Sequence, residues 1–443
     1  MSVTNGLLRR AVACFALLLA AACDPPAGLG TASGPPALIL AGGFVVDPDS
    51  SGEPLRADVL VAGGRIVAVG RDLDAPGARR IDVAGRYLAP GLWDMHAHVA
   101  AVGPVGESLE DYVRHGVLAI RDMGGRQDEI LALRQDVASG RRLGPTMFVA
   151  GPTVNGEHSA DFHRLVRNAG EARAAVAELR RRGVDFIKIH RQTSREAFFA
   201  IRDATRSQGM FFAGHVPLAL DWIEASDAGM QSFEHVQTII ENELERGVEP
   251  VRATFEALER LSGERGDRIF EAMARNRTHW TPTLIFYETS WREDSPERRA
   301  LKQRAYAMMR PLVGRAARAD VPILAGTDLL AARGAGLLDE LDRLVAAGLS
   351  PREALAAATT TAFRLAGRGP GPIRPGGEAS LIVLRANPLA TIENVRALSG
   401  VLLRGRWLGE AELRPALSAV QRPAASVRAP RRAPGGSGNG LPF

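Results

Sequence analysis

Residues Pro90-Gly91-Leu92-Trp93-Asp94-Met95-His96-Ala97-His98 read as an apolar strand that ends in two histidines spaced two apart. Side chains at i and i+2 of a strand point to the same face, so His96 and His98 can close on one cation. A chance pair of histidines is the alternative, and the rest of the chain weighs between the two. After Gly91, strand-like runs alternate with helical stretches, the signature of parallel βα units. The strand candidates are residues 92–98, 117–123, 146–151, 185–190, 211–216, 232–236, 279–284 and 321–328. Helical patterns lie between most of them, for example 171–182, 194–208 and 251–261, and another is expected from Arg352 to Arg364. Eight such repeats predict an α/β fold, a (β/α)8 TIM barrel spanning residues 91–367.

The flanking segments have a different rhythm. Runs at 37–40, 58–61 and 65–69 are β-prone, and Gly63-Gly64 between the last two is a two-residue hairpin signal. Short strand patterns return at 380–384 and 401–404. Residues 37–90 plus 368–412 are therefore expected to form a small composite β-sandwich domain. The Pro/Arg/Ala/Gly-rich stretch 413–443 offers too little apolar surface to fold and is expected to be a disordered tail.

Composition adds a clue. Lysine and arginine total 55, yet only Lys188 and Lys302 are lysines. Lys188 sits in Val184-Asp185-Phe186-Ile187-Lys188-Ile189-His190, which reads as a buried strand. Arginine stays protonated there, whereas a desolvated lysine can lose its proton. A neutral lysine amine can add carbon dioxide to form a carbamate, an anionic ligand able to bridge two metals. The plainer alternative is an ammonium that snorkels to the surface from the strand end. The formal net charge of +5 resides in the tail, which holds five arginines and no acid, so residues 1–412 are neutral overall. The charge therefore gives nucleic-acid binding little support.

Residues 1–23 read as an export signal, with Arg9 and Arg10, an apolar core, and Ala20-Ala21-Ala22 before Cys23. The apolar run is too short to favour a membrane-spanning helix. Leu19-Ala20-Ala21-Ala22-Cys23 resembles a bacterial lipoprotein box, with Ala20 where leucine is usual. In that reading Cys23 is lipidated and residues 24–36 are a linker, giving a periplasmic or membrane-anchored lipoprotein. Ordinary cleavage after Ala22 would instead release a soluble exported protein. Cys14 and Cys23 are the only cysteines, so the mature chain has no internal disulfide.

Metal-ligand candidates recur at the ends of the expected strands: His96 and His98, Lys188, His215 in Ala213-Gly214-His215-Val216, His235 in Phe233-Glu234-His235-Val236, and Asp328 in Ala325-Gly326-Thr327-Asp328. Barrels of this kind carry their chemistry at that end. Nitrogen and oxygen donors without thiolate suit zinc, manganese, iron or cobalt. With the PGGEASLIVLRANPL segment near the C-terminus, these motifs resemble the amidohydrolase superfamily, in its imidazolonepropionase-like and prolidase-like branch.

The resemblance implies that His96 and His98 bind a first metal and His215 and His235 a second. Carbamylated Lys188 would bridge two zinc ions, one metal being the alternative, and Asp328 would bind the first and accept the proton of the attacking water. It also implies hydrolysis of an amide bond, in Xaa-Pro or Xaa-basic dipeptides or in N-acyl amino acids. Cyclic amides, lactones and phosphoesters are alternatives, as is a catalytically silent surface binding protein. His158 is expected to contact substrate or oxyanion, His190 to line the pocket, and Tyr287 to bind a substrate carboxylate or oxyanion. Glu234 alternates with His235 and is expected outside it, Arg121-Asp122 is expected to be an ion pair, and His115 and His279 are expected to be structural. The expected partner is a small molecule or dipeptide, with the membrane reached only through the N-terminal anchor and an oligomer left open.

Overall fold

The computed structural model describes residues 37–101, 109–158, 160–245, 247–290, 294–329 and 333–417. The export signal, Cys23, the 24–36 linker and most of the expected tail lie outside these residues. The tail boundary moves: the chain is helical over Glu410–Leu417, and Leu413 is buried on that helix. Among the described residues no helix is long and apolar enough to cross a membrane.

Five early strands (Leu38–Val45, Leu55–Ala62, Arg65–Gly70, Arg79–Asp82, Tyr87–Pro90) and three late ones (Leu381–Leu384, Leu398–Leu403, Arg406–Gly409) form one eight-stranded sheet. At its far edge Arg65 bridges antiparallel to Glu378 and Ile66 N donates to Gly377 O, so the sheet curls back toward its late strands. Tyr87–Pro90 inserts between Leu38–Val45 and Leu381–Leu384, joining the early and late strands by hydrogen bonds. Leu40, Val59, Leu88, Leu381 and Val383 supply its apolar core. Gly63 and Gly64 adopt φ of 56° and 75°, the left-handed pair that a tight hairpin between Ala62 and Arg65 requires. The sheet does not separate from the remainder as an independent unit.

Gly91 carries the chain directly from this sheet into Leu92–Ala97, whose residues are all buried. That strand pairs in parallel with Val117–Asp122, which pairs with Thr146–Val149. A second parallel sheet runs in the order His163–Leu165, Thr153–Asn155, Ile187–Ile189, Phe212–Gly214, Ser232–Glu234, His279–Thr281. The expected repeats thus appear as two parallel sheets, not one continuous ring. Isolated backbone hydrogen bonds span the seams, from Asp185 N to Val149 O (2.8 Å) on one side and from Met95 N to Ala325 O (2.8 Å) and Asp328 N to His96 O on the other. Of the eighth expected strand, 321–328, only the bridge from Ile323 to Trp280 has ladder geometry.

Helices pack outside the parallel strands. Ser194 caps Arg195–Ser207, which turns Phe198, Ile201 and Thr205 inward at helical spacing. The helix expected over 352–364 is two, Pro351–Ala357 and Thr360–Ala366. The carbonyls of Ala357 and Ala358 at the break accept from Ala325 N and Trp93 N, holding the interruption against the strands.

Gly214 sets how closely two strands approach beneath the histidines. Its φ is 136°, and a Cβ there would lie 2.2 Å from Ile189 O and 2.9 Å from Lys188 Cδ. Gly214→Ala is expected to lower stability by about 1–3 kcal/mol, the usual cost of overpacking. Urea unfolding of the variant checks this, and an unchanged midpoint would contradict it.

Candidate metal centre

Six of the nine histidines make one continuous chain of rings. Centroids are 5.3 Å apart for His98 and His96, 4.4 Å for His96 and His235, and 4.7 Å for His235 and His215. The chain continues with 4.1 Å for His215 and His190 and 5.4 Å for His190 and His163. Burial lowers the pKa of His96, His190, His215 and His235 well below the usual value, helped by the charge of Lys188. Neutral imidazoles are the form that ligates metal.

His96, His98 and Asp328 place one ligand atom each within 4.8 Å of one another. His98 Nδ1 lies 2.7 Å from Gly124 O, and a carbonyl can only accept, so the proton is on Nδ1 and Nε2 is the unprotonated nitrogen. The same holds for His96, whose Nδ1 lies 2.8 Å from the Glu234 carboxylate. Asp328 Oδ1 is 3.3 Å from His98 Nε2 and 3.7 Å from His96 Nε2. Ligands about 2.0–2.2 Å from a tetrahedral zinc sit roughly 3.4 Å apart, so this spacing suits donors around a shared ion. His96 Nε2 and His215 Nδ1 are buried with no hydrogen-bond partner among the described residues, the condition that a bound cation would relieve.

Backbone strain aims the set. Asp328, His235 and Thr283 have φ of 55°, 67° and 47°, a left-handed region uncommon for non-glycine residues. Asp328 N donates to His96 O at 2.7 Å, so this turn is fixed to the first strand although it forms no ladder. Asp94 braces both, with Oδ1 accepting from His96 N and Thr327 N and Oδ2 from the Thr327 hydroxyl. His235 Nδ1 contacts Thr283 Oγ1 at 2.9 Å.

Lys188 is 2% exposed, and burial pulls its pKa down to about 8 against the charges of Glu234 and Asp328. Burial pushes Asp328 up to about 7, opposed by Lys188. An amine shifted this far has a neutral fraction available near neutral pH, as carbamate formation needs. Lys302 is instead ion-paired with Asp294.

Other expectations fare differently. His190 joins the ring chain, but the residue that reaches it from the segment after Thr146–Val149 is His163, while His158 is exposed. Tyr287 stacks on Tyr306 at 5.9 Å, and its neighbour Phe286 is the ring beside His235, at 6.3 Å. Arg121 is paired with Glu234, and Asp122 instead accepts the N–H groups of Val99 and Gly124. Glu234 points inward, against expectation. Its strand ends at Glu234, and the left-handed turn at His235 breaks the alternation, so both face the interior.

The amidohydrolase family model matches residues 87–408. The chain belongs to the amidohydrolase family. Adenine deaminase of Deinococcus radiodurans is 34% identical over 127 residues, 26% of this chain and 22% of that protein. Dihydroorotase of Streptococcus thermophilus is 39% identical over 82 residues, 18% of each chain. These matches span about a fifth of each relative's length. A prolidase solved in complex with N-methylphosphonate-L-proline superposes with a TM-score of 0.68 at 25% identity, covering 84% of this chain and 99% of that one.

Proposed function

We propose that this amidohydrolase is an exported, metal-dependent enzyme that hydrolyses a C–N amide bond in a dipeptide, Xaa-Pro foremost, or in an N-acyl amino acid. The observation that carries this is the convergence of His96, His98 and Asp328 beside His215, His235 and Lys188. The two parallel sheets are read as arcs of one (β/α)8 barrel, because the seam hydrogen bonds continue the strand order. His96, His98 and Asp328 would hold one cation and His215 and His235 a second, zinc in the first instance, with carbamylated Lys188 between them. Residues 1–23 are read as a signal ending in lipidated Cys23, which would anchor the protein in the periplasm.

A bound divalent cation supplies Lewis acidity: it polarises a carbonyl and makes water acidic enough to deprotonate near neutral pH. The protein supplies the rest. Asp328 takes the proton of the attacking water and returns it to the departing nitrogen. Phe162 beside His98 (6.2 Å) and Phe286 beside His235 give the centre two apolar flanks, which suit a proline ring or an apolar acyl chain. The relationship to dihydroorotase supports a second reading, hydrolysis of a cyclic amide.

The test is turnover of a dipeptide and N-acyl amino acid panel by protein reconstituted with zinc and bicarbonate. Activity on Xaa-Pro dipeptides that a chelator abolishes and zinc restores is expected. A fully metallated sample that hydrolyses neither class would contradict the reading.

A further inference from the structure

Beneath the histidines lies a second buried cluster, centred on Arg121 and Glu234, both fully buried. Arg121 reaches across the interior. Its Nε donates to Met95 O at 2.7 Å, and its terminal nitrogens donate to Ser232 Oγ at 2.7 Å, Thr281 Oγ1 at 3.1 Å and Glu234 Oε1 at 2.8 Å. One side chain on Val117–Asp122 thereby fixes atoms on three other parallel strands. Glu234 Oε1 also accepts from the Ser232 hydroxyl, which leaves Oε2 for His96 Nδ1.

We infer that Arg121 and Glu234 are positioning residues of the metal centre: Arg121 locks the Glu234 carboxylate so that it holds His96 in the Nδ1–H form, with the Nε2 lone pair toward Asp328. This deepens the metal-dependent reading above and rests on it. The geometry leaves Glu234 little freedom. One oxygen is held by Arg121 and Ser232, so rotation away from His96 would break both bonds, and a carboxylate can only accept from the imidazole. A free imidazole chooses between two tautomers, and one of them would put a proton on the atom that faces Asp328. Outer partners of this kind fix ring orientation and raise ligand basicity. The bland alternative is a buried ion pair that only ties strands together.

The experiment uses the full chain and measures zinc affinity of the apoprotein by competition with a chromophoric chelator. Folding is checked by near-ultraviolet circular dichroism. Glu234→Gln is nearly isosteric; with its carbonyl on Arg121, its amide offers His96 a donor in place of an acceptor. The inference expects zinc affinity to fall about 10- to 100-fold, the usual cost of losing such a partner. Arg121→Met is expected to lose a similar amount, and Arg121→Lys, which keeps the charge with fewer donors, an intermediate amount. The double variant decides between the readings. If Arg121 acts through Glu234, adding Arg121→Met to Glu234→Gln costs little more affinity, whereas a strand-tying role predicts additive losses. Nitrogen-15 spectra of the histidine rings give a second readout, in which His96 changes tautomer in Glu234→Gln and His279 does not. Wild-type affinity in Glu234→Gln, or additive losses with an unchanged His96 tautomer, would overturn the inference. Failure of the wild-type protein to bind zinc would overturn the metal reading instead.

Discussion

Asp328→Asn is expected to keep the fold and the metal and to lower turnover by roughly 10²- to 10⁴-fold, the range that a positioned acid–base group contributes. The fold is expected to survive because asparagine tolerates a φ of 55° better than most residues. The hydrogen bond from residue 328 N to His96 O is a backbone bond and is unaffected by the side chain. The amide still offers an oxygen donor at the same reach, but it cannot take a proton from water. Steady-state kinetics beside metal analysis by mass spectrometry check this. Near wild-type turnover in a metallated variant would remove Asp328 from the mechanism.

Lys188→Met is expected to lower metal content and to abolish measurable turnover, a loss beyond the roughly 10- to 100-fold that follows removal of an outer partner. Methionine preserves most of the length and apolar contact of the lysine stem, so the change removes the amine more than the packing. Lys188→Glu would return an anionic oxygen ligand between the two histidine pairs and is expected to recover part of the metal content. An Arg substitution would instead bring a permanent cation into a buried site beside four imidazoles. Metal stoichiometry in the three variants decides the matter. Wild-type stoichiometry in Lys188→Met would show that the lysine is no ligand and has a purely structural role.

How much of this was legible in the sequence follows from how local each signal is. The pair His96 and His98 depends only on strand alternation, and the placement of Lys188 and His190 on one face depends on the same rule. The alternation rule misled at Glu234 because Ser232–Glu234 is only three residues long and the next residue is left-handed. No local pattern announces that turn, since His235 carries a Cβ and looks like an ordinary strand residue. The short parallel pair Thr153–Asn155 and His163–Leu165 was likewise invisible, being too brief to show a period. It is this pair that sets His163 on the ring chain and leaves His158 in solvent. The final expected strand delivered Asp328 without forming a ladder, because the segment is held by isolated bonds to Trp280, Met95 and His96. Arg121 was misassigned for a different reason. Its true partner is 113 residues away, and only the closeness of four strands makes the contact.

The most direct test of the metal centre is anomalous diffraction at the zinc edge, from crystals of the protein reconstituted with zinc and bicarbonate. A peak is expected among His96 Nε2, His98 Nε2 and Asp328, a second beside His215 and His235, and density continuing beyond Lys188 Nζ between them. A single peak at His96, His98 and Asp328 with an unmodified lysine would retain the centre and discard the bridge. An active protein whose zinc lies elsewhere, with no anomalous density among these histidines, would contradict a metal centre at this site.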